Sequence, residues 1–123
     1  MTNRRTALGA AGEDAAAAHL ERQGYRILER NVRAGGVEID LIACRRGLVV
    51  IVEVKARRSR RYGSAADAVD ARKRARLARG AAAWLRAARR PARQVRFDVI
   101  TCEPDATGAW QLAHWEGAFE AGD

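Results

Sequence analysis

The chain has few of the residues that would fix it covalently or anchor it in a bilayer. Its 123 residues include two cysteines, Cys44 and Cys102, far apart and without metal-ligand spacing. That argues against a disulfide framework or a zinc site and for buried, reduced thiols. No apolar run approaches the ~20 residues of a membrane-spanning helix. No apolar segment follows Arg4 and Arg5 to make a secretory signal, so a cytoplasmic protein is expected. Aromatic residues are scarce, 6% against 48% hydrophobic overall, and many of the apolar positions are alanine, so the core must be built from small side chains. There is no internal repeat, and the length suits a single domain over residues 1–123.

What the chain does have is positive charge. Lys and Arg number 23 against 15 Asp and Glu, a net charge of +8, which fits a polyanionic partner, nucleic acid or an anionic membrane surface. An arginine- and alanine-rich composition also arises from GC-rich coding, so the placement of the charges has to decide.

The most informative stretch runs from Gly36 to Lys55. Val37, Ile39, Leu41 and Ala43 alternate with Glu38 and Asp40, the period of a half-buried strand. Arg46-Gly47 supplies a turn, and the β-branched run from Leu48 to Lys55 makes the returning strand. With Arg46 and Gly47 as the turn residues, Arg45 faces Leu48, Asp40 faces Glu53 and Glu38 faces Lys55. A turn at Arg45-Arg46 would instead set Glu38 opposite Glu53, with all four groups still on one face. Like charges opposed on a ladder destabilise it and are tolerated most readily with a divalent cation between them. The plainer reading is a solvated face on which Glu38 and Lys55 merely pair.

The remaining chain frames this hairpin. Thr6 can cap a helix to about Gln23, stopped by Gly24. Its apolar face holds Gly9, Gly12, Ala16 and Leu20, and Glu13 lies on the same face, either reaching the rim or joining the acidic cluster. Nothing marks His19, on its flank, as a catalyst. Tyr25–Val32 reads as a first strand, turned at Gly35-Gly36. The apolar run Leu48–Val52 suggests a central strand covered on both faces. After it come Arg57, Arg58, Arg60 and Arg61 with Tyr62 among them, a composition suited to phosphate contact and base stacking or simply to a solvated loop. A short helical turn is expected over Ser64–Val69. Asp70 can cap a second helix to about Ala88, with Leu77, Ala81, Trp84, Leu85 and Ala88 buried and Lys73 one turn before Leu77. Val95–Glu103 alternates again, with Arg96 and Asp98 on one face and Val95, Phe97 and Val99 on the other. Ala109–Trp115 makes a last strand, and His114 reads as a surface or interface residue. The fold class is α/β, a mixed sheet of about five strands flanked by two helices in the order α-β-β-β-α-β-β.

An acid on a first helix, an aspartate on one strand and Glu-x-Lys on the next make up the pattern of the PD-(D/E)XK nucleases. Over nearly its full length the chain resembles, more closely, the YraN-like family of bacterial proteins, which have a restriction-endonuclease-like fold. The resemblance rests on Gly12-Glu13, Gly24-Tyr25, Arg30-Asn31, Glu38 to Ile42, Val52 to Lys55, Gly63, Lys73 and Arg96-Phe97-Asp98. The family pattern has glycine immediately before Glu-Ile-Asp; here Val37 intervenes, so the turn into the strand is expected to differ. The resemblance implies a metal-dependent nuclease acting on DNA, branched or junction DNA included. Asp40, Glu53 and the Val54 backbone carbonyl would hold Mg²⁺ or Mn²⁺, with Glu13 binding directly or through water. Lys55 would orient or help deprotonate the attacking water, Glu38 would support the metal ligands from behind, and Lys73 would reach the phosphate. Arg57, Arg58, Arg60 and Arg61 are the expected nucleic-acid contacts. Nucleic acid, not a membrane, is the expected partner. The competing reading is a non-catalytic nucleic-acid-binding module of the same fold. A third, a protein-interaction subunit, draws on Trp110, Trp115 and Phe119 as exposed aromatics; a homodimer interface built from them would also fit an enzyme acting on symmetric junctions.

Overall fold

Thr6 opens the first helix by accepting the Gly9 N–H on its Oγ1 at 2.9 Å, an N-cap that satisfies one of the free donors of a helix start. The structure, a computed structural model, describes residues 6–58, 70–90 and 94–120. Helix α1 (Ala7–Arg22) leads into β1 (Arg26–Ala34), β2 (Val37–Arg45), β3 (Leu48–Ala56), α2 (Ala71–Ala88), β4 (Gln94–Pro104) and β5 (Trp110–Phe119), the expected order. Asp70 caps α2 by accepting the Lys73 N–H at 2.9 Å. Gly63, the turn expected over Ser64–Val69, and Arg60, Arg61 and Tyr62 of the basic loop lie outside the described residues.

Two tight hairpins open the sheet. Gly35 (φ 58) and Gly36 (φ 74) join β1 to β2, and Arg46 (φ 51) and Gly47 (φ 81) join β2 to β3; paired positive φ values match the right-handed strand twist. The extra Val37 is absorbed simply as the first residue of β2, paired with Ala34. The Arg45↔Leu48 register is the expected one. The five strands lie in sequence order, parallel between β3 and β4 and antiparallel elsewhere, and α2 lies within the connection that a parallel pair requires.

Each helix covers one face. Ala16, Ala17 and Leu20 of α1 pack on Leu41, Ala43, Val50 and Val52, whereas Leu77, Ala81 and Trp84 of α2 pack on Val37, Ile39, Ile42 and Ile51. β3 is therefore buried from both sides, as its apolar run predicts. The scarcity of large side chains has a purpose at Gly12: a Cβ there would stand 2.6 Å from that of Ala56, so α1 lies on the sheet at a distance only glycine permits.

Several expectations are corrected. Val37 and Ile39 do not share a face with Leu41 and Ala43; they lie under α2, and Leu41 and Ala43 lie under α1. The alternation fails beside Asn31 (φ 52), where the β1–β2 pairing skips from Arg30↔Leu41 to Val32↔Ile39. Ala88 is exposed at the end of α2. Of the three C-terminal aromatics only Trp115 is exposed, at 43%; Trp110 packs beside the α1 core and Phe119 stacks on Phe97. Both cysteines are free, but only Cys102 is buried, its thiol pushed up to about 11 by burial; Cys44 is only partly covered. Among the described residues no helix is long and apolar enough to cross a membrane.

Candidate functional site

The acidic residues gather where two strands part. The β2–β3 ladder runs from Arg45↔Leu48 to Leu41↔Val52 and ends there. The Glu38–Lys55 pair expected further along it does not form, because beyond Val52 the strand keeps only its parallel partner β4. The next main-chain donor, the Val54 N–H, gives its hydrogen bond instead to Asp40 Oδ2 at 2.8 Å. A side chain thus replaces the backbone at the fork, and β2 and β3 open around a cleft of about 220 Å³ lined by Arg33, Glu38, Asp40, Glu53, Lys73 and Arg76.

Glu53 lies at the floor of the cleft, 5% exposed. Its Oε2 takes Lys55 Nζ at 3.1 Å and Lys73 Nζ at 2.5 Å. Lys55 reaches it from two residues along the same face of β3, and Lys73 from the first turn of α2, one turn before the buried Leu77. Burial alone would lower the Lys73 pKa, but the Glu53 carboxylate more than offsets this and raises it. At Asp40 the surroundings favour the neutral form. Its burial, the Glu53 charge and, less strongly, Glu13 lift its carboxyl to about 7, against the Val54 N–H and Lys73, which favour the ionised form.

Glu13 settles between its two alternatives. It is buried at 6% exposure, and its Oε1 accepts from Asn31 Nδ2 at 2.9 Å. Its charge is felt at Asp40, so α1 contributes its acid to the cluster rather than to the rim. Glu38 lines the cleft, opposite Arg33 in the β1–β2 ladder. Arg57 continues β3 through its N–H to the Cys102 carbonyl at 2.9 Å, and Arg58 is exposed; Arg60 and Arg61 fall outside the described residues. Among those residues no three His, Cys, Asp or Glu side chains form a ready-made ligand cage. The donor set is the two carboxylates of Asp40 and Glu53, hard oxygens, with the Val54 main chain held against Asp40 through its N–H. It fits a cation such as Mg²⁺, which keeps several waters and takes one or two carboxylates.

Two groups escaped the sequence reading. Arg33 and Arg76 line the cleft, but nothing distinguishes them in sequence from the other arginines. The second is a polar network on the α1 side of β4. Asp98, fully buried, accepts two hydrogen bonds from Arg96 at 2.8 Å each, one from the Gly117 N–H at 3.0 Å and one from His114 Nε2 at 2.7 Å. His114 is therefore no surface histidine. Its Nδ1 meets His19 Nε2 at 3.1 Å, and Arg96 also donates to the Tyr25 hydroxyl at 2.8 Å. Burial alone would raise the Asp98 pKa, but the His114 and Arg96 hydrogen bonds hold it below the usual carboxylate value. Burial, then the nearby His114 and Arg22, lower the His19 pKa. The alternating Arg96-x-Asp98 pattern was the one signal of this network.

Comparison with known proteins follows the same residues. The family described as "Uncharacterised protein family UPF0102" matches residues 12–102, a span that includes Glu13, Asp40, Glu53, Lys55 and Lys73. A UPF0102 protein of Symbiobacterium thermophilum is 47% identical over 114 residues, covering 93% of this chain and 97% of its own. Those of Frankia casuarinae and Corynebacterium efficiens are 46% and 45% identical over 113 and 119 residues, covering 92% and 95% of this chain and 96% and 95% of their own.

Proposed function

The chain belongs to the uncharacterised protein family UPF0102, the YraN-like proteins, and from that premise we propose that it is a metal-dependent nuclease hydrolysing phosphodiester bonds of DNA, branched or junction DNA among its substrates. One observation carries the reading: Asp40 and Glu53 share a cleft with Lys73 at the fork of two strands, with Lys55 bonded to Glu53 at its edge. Burial and the neighbouring Glu53 charge raise the Asp40 pKa to about 7, and a cation between the two carboxylates would remove their repulsion.

Asp40, Glu53 and the Val54 carbonyl would hold Mg²⁺ or Mn²⁺, which when bound acidifies a water and offsets charge on the phosphate. The protein's own groups do the rest. Lys55, tethered to Glu53, orients the attacking water. Lys73, now bonded to Glu53 from the first turn of α2, would turn to the phosphate with a cation on that carboxylate. Glu13 would bind the cation from α1 directly or through water, and Glu38 would support the ligands from two residues before Asp40 on β2. Arg57, Arg58, Arg60 and Arg61 supply phosphate contacts that fix the strand without reading its sequence.

The test is cleavage of single-stranded, duplex, flap and four-way junction DNA by the purified protein with Mg²⁺ or Mn²⁺. Cutting that is lost in Asp40→Ala and Glu53→Ala supports the reading; cutting undiminished in both sinks it. A second reading, a non-catalytic nucleic-acid-binding module, is favoured by one feature: Lys55 and Lys73 already neutralise Glu53. That reading predicts DNA binding without metal affinity, unchanged in the same variants.

A further inference from the structure

Asn31 stands in the middle of β1 at φ 52, in the left-handed region, where most residues lose about 1–2 kcal/mol and asparagine is among the few that tolerate it. The β1–β2 ladder skips it. Arg30 pairs with Leu41 and Val32 with Ile39, so the position across from Asn31 is that of Asp40. The kink sends two successive side chains toward α1. Arg30 reaches Asp14, and Asn31 Nδ2 donates to Glu13 Oε1 at 2.9 Å. A carboxylate only accepts, so the amide must present its NH₂ to Glu13 and turn its oxygen the other way. That oxygen, Oδ1, is buried and has no hydrogen-bond partner among the described residues. A buried acceptor left unmatched costs about 1–3 kcal/mol. Both costs fall on the residue that keeps an N–H donor on Glu13 from the position across the ladder from Asp40.

We propose that Asn31 is a positioning residue of the cation site: from across the ladder from Asp40, its Nδ2 holds the Glu13 carboxylate toward that aspartate. The inference rests on the metal-dependent reading above and adds a residue to it.

Titration calorimetry with Mn²⁺ on the full chain, beside urea unfolding, tests it without any activity measurement. Asn31→Gly removes the side chain, and glycine adopts positive φ without cost, so the strand is spared. The expected result is an unfolding midpoint close to wild type and Mn²⁺ affinity about 10–100-fold weaker, the usual effect of losing a group that orients metal ligands. Equal Mn²⁺ affinity in wild type and Asn31→Gly overturns the proposal and leaves the metal-dependent reading standing. A wild-type protein that binds no Mn²⁺ overturns the reading and this inference together.

Discussion

Replacing Asp40 by asparagine is expected to stabilise the protein while abolishing its metal affinity. The carboxyl is lifted from its ordinary 3.8 to about 7, by burial first and the Glu53 charge second. At ~1.4 kcal/mol for each tenfold, that penalises the ionised form by about 4 kcal/mol, which falls to about 2–4 once the solvent reaching a half-buried group is allowed for. The sign follows from proton binding. Between 3.8 and about 7 the folded state holds more protons than the unfolded one, so wild-type stability falls as pH rises through that window. The asparagine of the variant cannot ionise, and its side-chain oxygen still accepts the Val54 N–H. The variant's advantage should therefore be absent near pH 4, grow toward pH 7 and stay constant above. With m near 1–3 kcal/mol/M, a gain of this size moves the urea midpoint by roughly 1–2 M at about pH 8. Mn²⁺ at a hundred times Kd should return about 2.7 kcal/mol to the wild type and nothing to the variant. Urea unfolding from about pH 4 to about pH 9, with and without Mn²⁺, measures both. A variant less stable than wild type at about pH 8, or an advantage equal at every pH, would refute the reasoning.

Two further substitutions probe other parts of the account. Asp98→Ala leaves Arg96, the Gly117 N–H and His114 without their common acceptor and should cost about 3–5 kcal/mol in urea unfolding; a loss under about 1 kcal/mol would show that the network adds little. Because the folded-state pKa of Asp98 is lowered, the stability it supplies is present above 3.8 and should be lost as pH falls through that lowered value. Lys73→Ala should weaken DNA binding about equally for all sequences and reduce the slope of log affinity against log salt by about one, read from fluorescence anisotropy across a salt series; an unchanged slope would remove Lys73 from the phosphate contacts.

The order of elements, both helix caps and the Arg46-Gly47 turn were legible because each depends on local chemistry: Thr6 and Asp70 cap by side chain, and a two-residue turn fixes the register beside it. Asp40 and Glu53 were legible as a pair for the same reason. The register could not show that the ladder ends one pair short of them, since what ends it is the Asp40 side chain taking the Val54 N–H. Nor could alternation show the change of face between Ile39 and Leu41, which lies across the ladder from the positive φ of Asn31. His114 was misread because its partners, Asp98 and His19, come from another strand and a helix 95 residues away, beyond the reach of any local pattern. Phe119 was misread as exposed because β5 extends to it, well past the expected end at Trp115, and Trp110 because the core it packs against comes from α1 and distant strands.

A crystal structure of the protein soaked in Mn²⁺, with the ion located by its anomalous scattering, tests the central claim most directly. The account predicts one ion at the strand fork, bound by Asp40, Glu53 and the Val54 carbonyl, with Lys73 drawn away from Glu53. A cleft that stays without metal at millimolar Mn²⁺, with both lysines still on Glu53, would contradict it.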